Sequence, residues 1–126
     1  NDVTVVTYGP LRHDVMILAE QMADDPGYDI EVIDLRSLIP FDIDSITTSV
    51  QRTGRLVVVH EAPLSLGFGA ELAATVQERA FGYLHCPIGR VAAPDLPYGF
   101  SGGDEYCRPN KARIAAAIRR AMEFDF

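Results

Sequence analysis

The chain has 126 residues, 48% of them hydrophobic, enough for one compact domain with its own core and too short for a second. No run approaches the ~18 consecutive apolar residues of a membrane-spanning helix. No basic-then-apolar start suggests a secretory leader, and a disordered or collagen-like chain is excluded by composition. With 11 basic against 18 acidic residues and a formal charge of −7, the domain as a whole is a poor match for nucleic acid, which attracts proteins through counterion release. The expectation is a soluble domain with neither a membrane nor a nucleic-acid partner.

In chain order, Val3 to Tyr8 is a β-branched run closed by Gly9 and Pro10, and predicts a strand ending in a turn. Val15, Leu18, Ala19 and Met22 then follow helical spacing until Asp24-Asp25-Pro26-Gly27 stops them. Ile30 to Leu35 is the second strand. Asp42 caps a short helix whose buried face is Ile43, Ile46 and Val50, ended by Gly54. Arg55 to His60 has an unbroken Leu-Val-Val-Val centre, the pattern of a strand covered on both faces, and is placed centrally in a parallel sheet. Gly67-Phe68-Gly69 opens a helix through about Tyr83, with Leu72, Ala73, Val76 and Ala80 on its apolar face. Ile88 to Ala92 is a short strand. The stretch to Pro109 is rich in turns, with Pro94, Pro97, Gly99, Gly102 and Gly103, and a segment of that length is usually functional or packed at an interface. The last helix, about Asn110 to Phe124, turns Ile114, Ala117, Ile118 and Ala121 inward. Strands alternating with helices give a three-layer α/β domain.

Charge is unevenly placed. Tyr106 to Met122 carries no acid and five bases, Arg108, Lys111, Arg113, Arg119 and Arg120. Such a stripe can bind phosphate, but is more commonly a solvated face that suits a helix C-terminus. Cys86 and Cys107 are far apart and outside any C-x-x-C pair, so no disulfide framework or zinc site is expected, and a reducing cytoplasm is the default compartment.

Several features could carry chemistry. His60-Glu61 closes the central strand, where ligands of open α/β sheets bind, and a histidine beside a carboxylate can act as a general base. The competing reading is a polar pair closing a strand, with the two side chains on opposite faces. Gly67-Phe68-Gly69-Ala70-Glu71 opens a helix that could hold a phosphate on its free N–H groups. It lacks a dinucleotide fingerprint and a P-loop lysine, and close packing of the helix start is the alternative. Asp34 and Arg36 share a side and suit an ion pair or a subunit contact. His13 and His85 are isolated, without metal-ligand spacing. A ligand-binding regulatory domain using the crevice near Gly9, Asp34 and His60 is a second reading. A hydrolase using His60 is a third, and it lacks a visible nucleophile. On residues alone, this is an α/β domain without a complete active site.

The ordered runs Val3–Gly9, Glu31–Leu38, Thr53–Pro63 and Gly67–Glu71, followed by Arg90–Asp95 and Pro109-Asn110, resemble the C-terminal domain of the β subunit of thiamine-diphosphate-dependent 2-oxo acid dehydrogenases, the transketolase C-terminal family. The resemblance covers essentially the whole chain. It implies a five-stranded, mostly parallel sheet with one antiparallel edge, in a complex that decarboxylates a 2-oxo acid and passes the acyl group to a lipoyl arm. It places the residues for thiamine diphosphate and Mg on the α subunit and on the β subunit's N-terminal domain. A single domain excised from a longer polypeptide, binding no cofactor and no metal and silent by itself, is therefore expected. The implied partners are the α subunit and a second β subunit, and Asp34, Arg36, His60, Glu61, Gly67, Phe68, Gly69 and Glu71 are the candidates for the subunit interface or the crevice. Apolar surface normally covered by those subunits could let the fragment dimerise. Some relatives also dock the acyltransferase core's subunit-binding domain at the β C-terminus, here Glu123, Asp125 and Phe126. Where those relatives commonly read Leu-Glu-Ala-Pro, this chain has Leu84-His85-Cys86-Pro87, one acid fewer. The His60-Glu61-Ala62-Pro63 run leans towards branched-chain 2-oxo acids, with pyruvate as the other candidate.

Overall fold

The computed structural model describes residues 1–97 and 107–125. Four strands form one sheet: β1 (Val3–Thr7), β2 (Ile30–Asp34), β3 (Leu56–Pro63) and β4 (Gly89–Ala93). Their order is β2-β1-β3-β4 and every pairing is parallel. Helices α1 (Leu11–Asp24), α2 (Ile43–Thr53), α3 (Phe68–Ala80) and α4 (Lys111–Met122) flank it.

Period-2 alternation divides each strand between two cores. Val3, Val5, Val57, Val59 and Val91 meet Leu11, Val15 and Leu18 of α1 and Ile114 and Ile118 of α4. Val6, Leu56 and Val58 meet Ile46 and Val50 of α2 and Leu72 and Val76 of α3. Both sheet faces are covered, which is why the Leu56–Val59 centre of β3 reads as an apolar run and even the threonines of β1 are buried. Each fully buried Val or Leu contributes roughly 1.5–3 kcal/mol through removal from water, so the two cores are the main stabilising term.

Two expectations need correction. The described residues contain four strands, all paired in parallel, and no antiparallel fifth, their other segments being helices, turns and loops. The helix opened at Gly67 leaves α geometry at Ala80, whose φ is −132°, and finishes in a 3-10 turn over Phe81–Tyr83 that includes Gly82, a poor helix former. Arg113 is exposed, as expected of the basic stripe, and its guanidinium also donates to the Ala92 carbonyl at 2.6 Å. The expected caps are present. Asp42 accepts from the Ser45 N–H at 3.1 Å, and Gly54 ends α2 with φ +70°. Gly99, Gly102 and Gly103 lie outside the described residues.

Candidate functional site

The C-terminal ends of β1, β2 and β3 carry most of the residues singled out from sequence. Pairing of β3 with β4 slips between Val59 and Pro63, so that four steps along β3 match two along β4. Such a bulge re-aims side chains, and here His60 points onto the start of α3. Its Nε2 accepts the Gly69 N–H at 2.8 Å, and the ring is only 2% exposed. An accepting Nε2 means a neutral ring protonated at Nδ1. Burial lowers the imidazole pKa from its ordinary value, Arg90 acts in the same direction, and backbone groups of His60 and Ala62 oppose them.

This contact decides what the glycines do. A Cβ on Gly69 would sit 2.4 Å from His60 Nε2, and one on Gly67 would sit 2.0 Å from the Pro63 carbonyl oxygen. The glycines therefore let the helix start press against the strand end, and one of the free N–H groups that could have held a phosphate is bonded to the imidazole instead. Glu71, in the first turn of α3, lies where the helix dipole favours an acid.

His60 and Glu61 do not work together: Glu61 pairs with Arg108 at 3.3 Å. With Nε2 occupied and the ring buried, His60 has no lone pair to offer a substrate as general base. Asp34 binds Arg36 at 2.8 Å and Arg12 at 3.5 Å, forming an ion-pair cluster beside the Gly9 turn. Aromatic rings pack between these groups. Phe68 packs edge-on against Tyr8 at 5.9 Å and against Phe41 at 5.3 Å, and Tyr8 lies 6.0 Å from the His60 ring. Burial and the Glu61 charge raise the Tyr8 pKa. These rings lie between Gly9 and His60, and a cavity of about 640 Å³ lined by Asp34, Arg36, Pro40, Phe41 and Asp42, among others, opens beside them. Among the described residues, no group of three His, Cys, Asp or Glu side chains could hold a metal.

At the other expected surface, Glu123 and Asp125 are exposed just beyond α4. They adjoin a cavity of about 350 Å³ lined by Cys86, Pro87, Arg90, Arg120 and Phe124, among others. Phe126 lies outside the described residues. His85 is exposed and stacks over Gly54, where a Cβ would be 2.3 Å from its Nδ1. His13 is exposed on α1.

Residues 1–114 match the family described as the transketolase C-terminal domain. The chain belongs to that family. It is 44% identical over 124 residues to the pyruvate dehydrogenase E1 component subunit beta of Staphylococcus aureus strain Mu50. It matches the Staphylococcus epidermidis ATCC 12228 protein of the same name to the same extent. Each match covers 98% of this chain and 38% of the relative, so the chain spans well under half the length of these proteins. A solved structure described as a split gene transketolase, inactive beta4 tetramer, superposes with a TM-score of 0.79 at 25% identity, over 96% of this chain and 38% of that one.

Within this transketolase C-terminal domain, sequence reasoning missed two polar clusters. Thr4, in the middle of β1, is fully buried, with its hydroxyl 2.6 Å from Ser49 and 2.8 Å from Thr53 on α2. Ser49 donates in turn to Glu31 at 2.5 Å, and Glu31 pairs with Arg52. The available signal was the helical spacing of Ile46, Ser49, Val50 and Thr53, which puts two hydroxyls on the buried face. In the second cluster, Asp95 accepts from both the N–H and the hydroxyl of Ser65, at 2.9 and 2.5 Å. That clip ties the β3–α3 loop to the loop after β4. The loop holds Leu66 at φ +62° and 102% exposed. Nothing in the local sequence marks this pair, which is 30 residues apart.

Proposed function

We propose that this chain is the C-terminal domain of the β subunit of a thiamine-diphosphate-dependent 2-oxo acid dehydrogenase, and that its task is assembly rather than bond-making. The observation that carries the reading is 44% identity across 98% of the chain to pyruvate dehydrogenase E1 β subunits. The geometry supports the second half of it. His60 is bonded to the α3 start, Glu61 to Arg108, and Asp34 to Arg36 and Arg12, so each of these side chains is already engaged within the domain. The residues present do not fit thiamine diphosphate: one α3 N–H that could receive a diphosphate binds His60, and the described residues form no metal-ligand cluster. In the intact enzyme that cofactor, with its magnesium, supplies the decarboxylating carbanion. This domain supplies a rigid wall.

The α subunit and a second β subunit are the partners in this reading, met through the exposed Arg36 and Glu71 and the half-buried Asp34, Glu61, Gly67 and Phe68; the buried His60 and Gly69 act behind that contact rather than in it. Isolated, the fragment has apolar surface such as Ile39, Leu66 and Leu96 through which it can pair with itself. The exposed Glu123 and Asp125, with Phe126 next in sequence, are the candidate docking point for the acyltransferase core's subunit-binding domain, and a cytoplasmic location goes with the reading. The relatives' names support pyruvate as substrate, and the His60–Pro63 run keeps branched-chain acids in the assay. Measuring carbon dioxide release from both acids, by the fragment and by the assembled enzyme containing it, tests the reading. Activity only in the assembled enzyme supports it, and turnover by the fragment with thiamine diphosphate and Mg refutes it. Titration of the subunit-binding domain against β subunits with and without Phe126 tests that docking point, and unchanged affinity removes it.

A further inference from the structure

Nothing in the assembly role uses a buried, neutral histidine, yet His60 is placed where one proton changes a helix start. Its Nε2 is the acceptor for the Gly69 N–H at 2.8 Å, and Nδ1 has no hydrogen-bond partner among the described residues. A proton added at Nε2 converts that acceptor into a donor, so two N–H groups face each other across a contact already closed on all sides. The glycine lets the ring seat directly on the amide, and there is no side chain to yield: even a Cβ at Gly69 would lie 2.4 Å from Nε2. The added charge also sits at the positive end of the α3 dipole.

The surroundings offer no counter-ion among the described residues. The end of β1 presents the Tyr8 phenol, with ring centroids 6.0 Å apart. From β4 comes Arg90, itself a cation, whose guanidinium donates to the Leu64 carbonyl at 3.0 Å. The α3 start presents backbone and the Phe68 ring. Glu61, the nearest acid in sequence, pairs with Arg108. The geometry points to an acid-released latch: neutral His60 holds the first turn of α3 to the sheet, and protonation of its Nε2 frees that turn and the Leu66-Gly67 step leading into it, while Leu64 stays bonded to Ala93 and Arg90. The Ser65–Asp95 clip remains, so release is local rather than global.

The direction with pH follows from linkage. A histidine whose folded pKa is depressed binds fewer protons folded than open, so the latch is fully set above the ordinary value of 6.5 and weakens as pH falls from there towards the folded value. Amide hydrogen exchange and 15N NMR of the 126-residue chain read this directly. Corrected for intrinsic exchange, Gly69 protection is expected to be flat above pH 6.5. Below it, protection should fall by up to ~10-fold per pH unit, while amides in the middle of β1 keep theirs. In His60→Gln, a side-chain oxygen can take the Gly69 N–H without titrating, and the pH dependence should vanish. If that variant fails to fold, the imidazole 15N pattern of the unaltered chain decides, with the Nδ1–H tautomer expected at neutral pH. An Nε2–H tautomer, Gly69 protection that ignores the His60 titration, or unchanged acid release in folded His60→Gln overturns the proposal.

Discussion

Replacing Gly69 with alanine is the sharpest test of how the β3–α3 junction is built. The added methyl would lie 2.4 Å from His60 Nε2 and 2.8 Å from its Cδ2, far inside van der Waals contact. The imidazole is 2% exposed and cannot swing into solvent, so either the ring or the helix start must shift. Overpacking of this kind costs about 1–3 kcal/mol, and separating the buried Gly69–His60 hydrogen bond adds roughly 1–3 kcal/mol. Against that stands the higher helix propensity of alanine, at most ~1 kcal/mol. The balance is a loss of about 2–4 kcal/mol, or roughly 10 °C in Tm for a domain of this size. Urea denaturation followed by circular dichroism measures it. A double-mutant cycle identifies the cause: in a His60→Ala background the methyl has room, so Gly69→Ala should there be close to neutral. If Gly69→Ala alone is neutral or stabilising, the close-packing account is wrong and the glycine serves another purpose.

Three further outcomes follow from the same structure. Gly54→Ala must place a side chain at φ +70°, costing about 1 kcal/mol of backbone strain. The clash with His85 should add little, because that ring is exposed and can move; a thermal melt in which Gly54→Ala/His85→Ala regained most of the loss would contradict this. Thr4→Val keeps the shape of β1 but removes the hydroxyl that meets Ser49 and Thr53, which retain Glu31 and the Arg55 backbone as partners, so a loss of about 0.5–1.5 kcal/mol is expected in urea titration, and a stability within error of the unaltered chain would show that the network is dispensable. Asp95 is held below its ordinary carboxyl range by its bonds to Ser65, so its contribution is present above pH 3.8 and is lost as the pH falls below it. Asp95→Asn should flatten the acid limb of the β3–α3 loop's amide protection, and an unaltered acid limb would break the argument.

The sequence by itself determined the three-layer α/β class and the placement of all four strands to within a residue or two at most boundaries. Unbroken valine runs fit only strands covered on both faces, and helical spacing of Val15, Leu18 and Met22, or of Ile114, Ala117, Ile118 and Ala121, leaves one face to bury. It also carried the caps at Asp42 and Gly54, because capping depends on a residue's own side chain or φ and on neighbours within one turn. Ordered motifs along the chain were enough to indicate the family.

What only the tertiary structure decided is how the polar residues are used. His60 and Glu61 are adjacent in sequence, but the bulge sends one to the α3 amide and the other to Arg108, a choice set by β3–β4 register rather than by either residue. The Gly67–Gly69 pair suited a phosphate or a tight contact equally well until the imidazole nine residues upstream was seen to occupy the site. Thr4 with Ser49 and Thr53, and Ser65 with Asp95, join positions 30 to 49 residues apart, and local periodicity carries no information about such pairs. Apolar burial is nearly non-directional and leaves its trace in the spacing of residues, whereas hydrogen bonds demand particular atoms at particular distances, and those are fixed only when the sheet and its helices have come together.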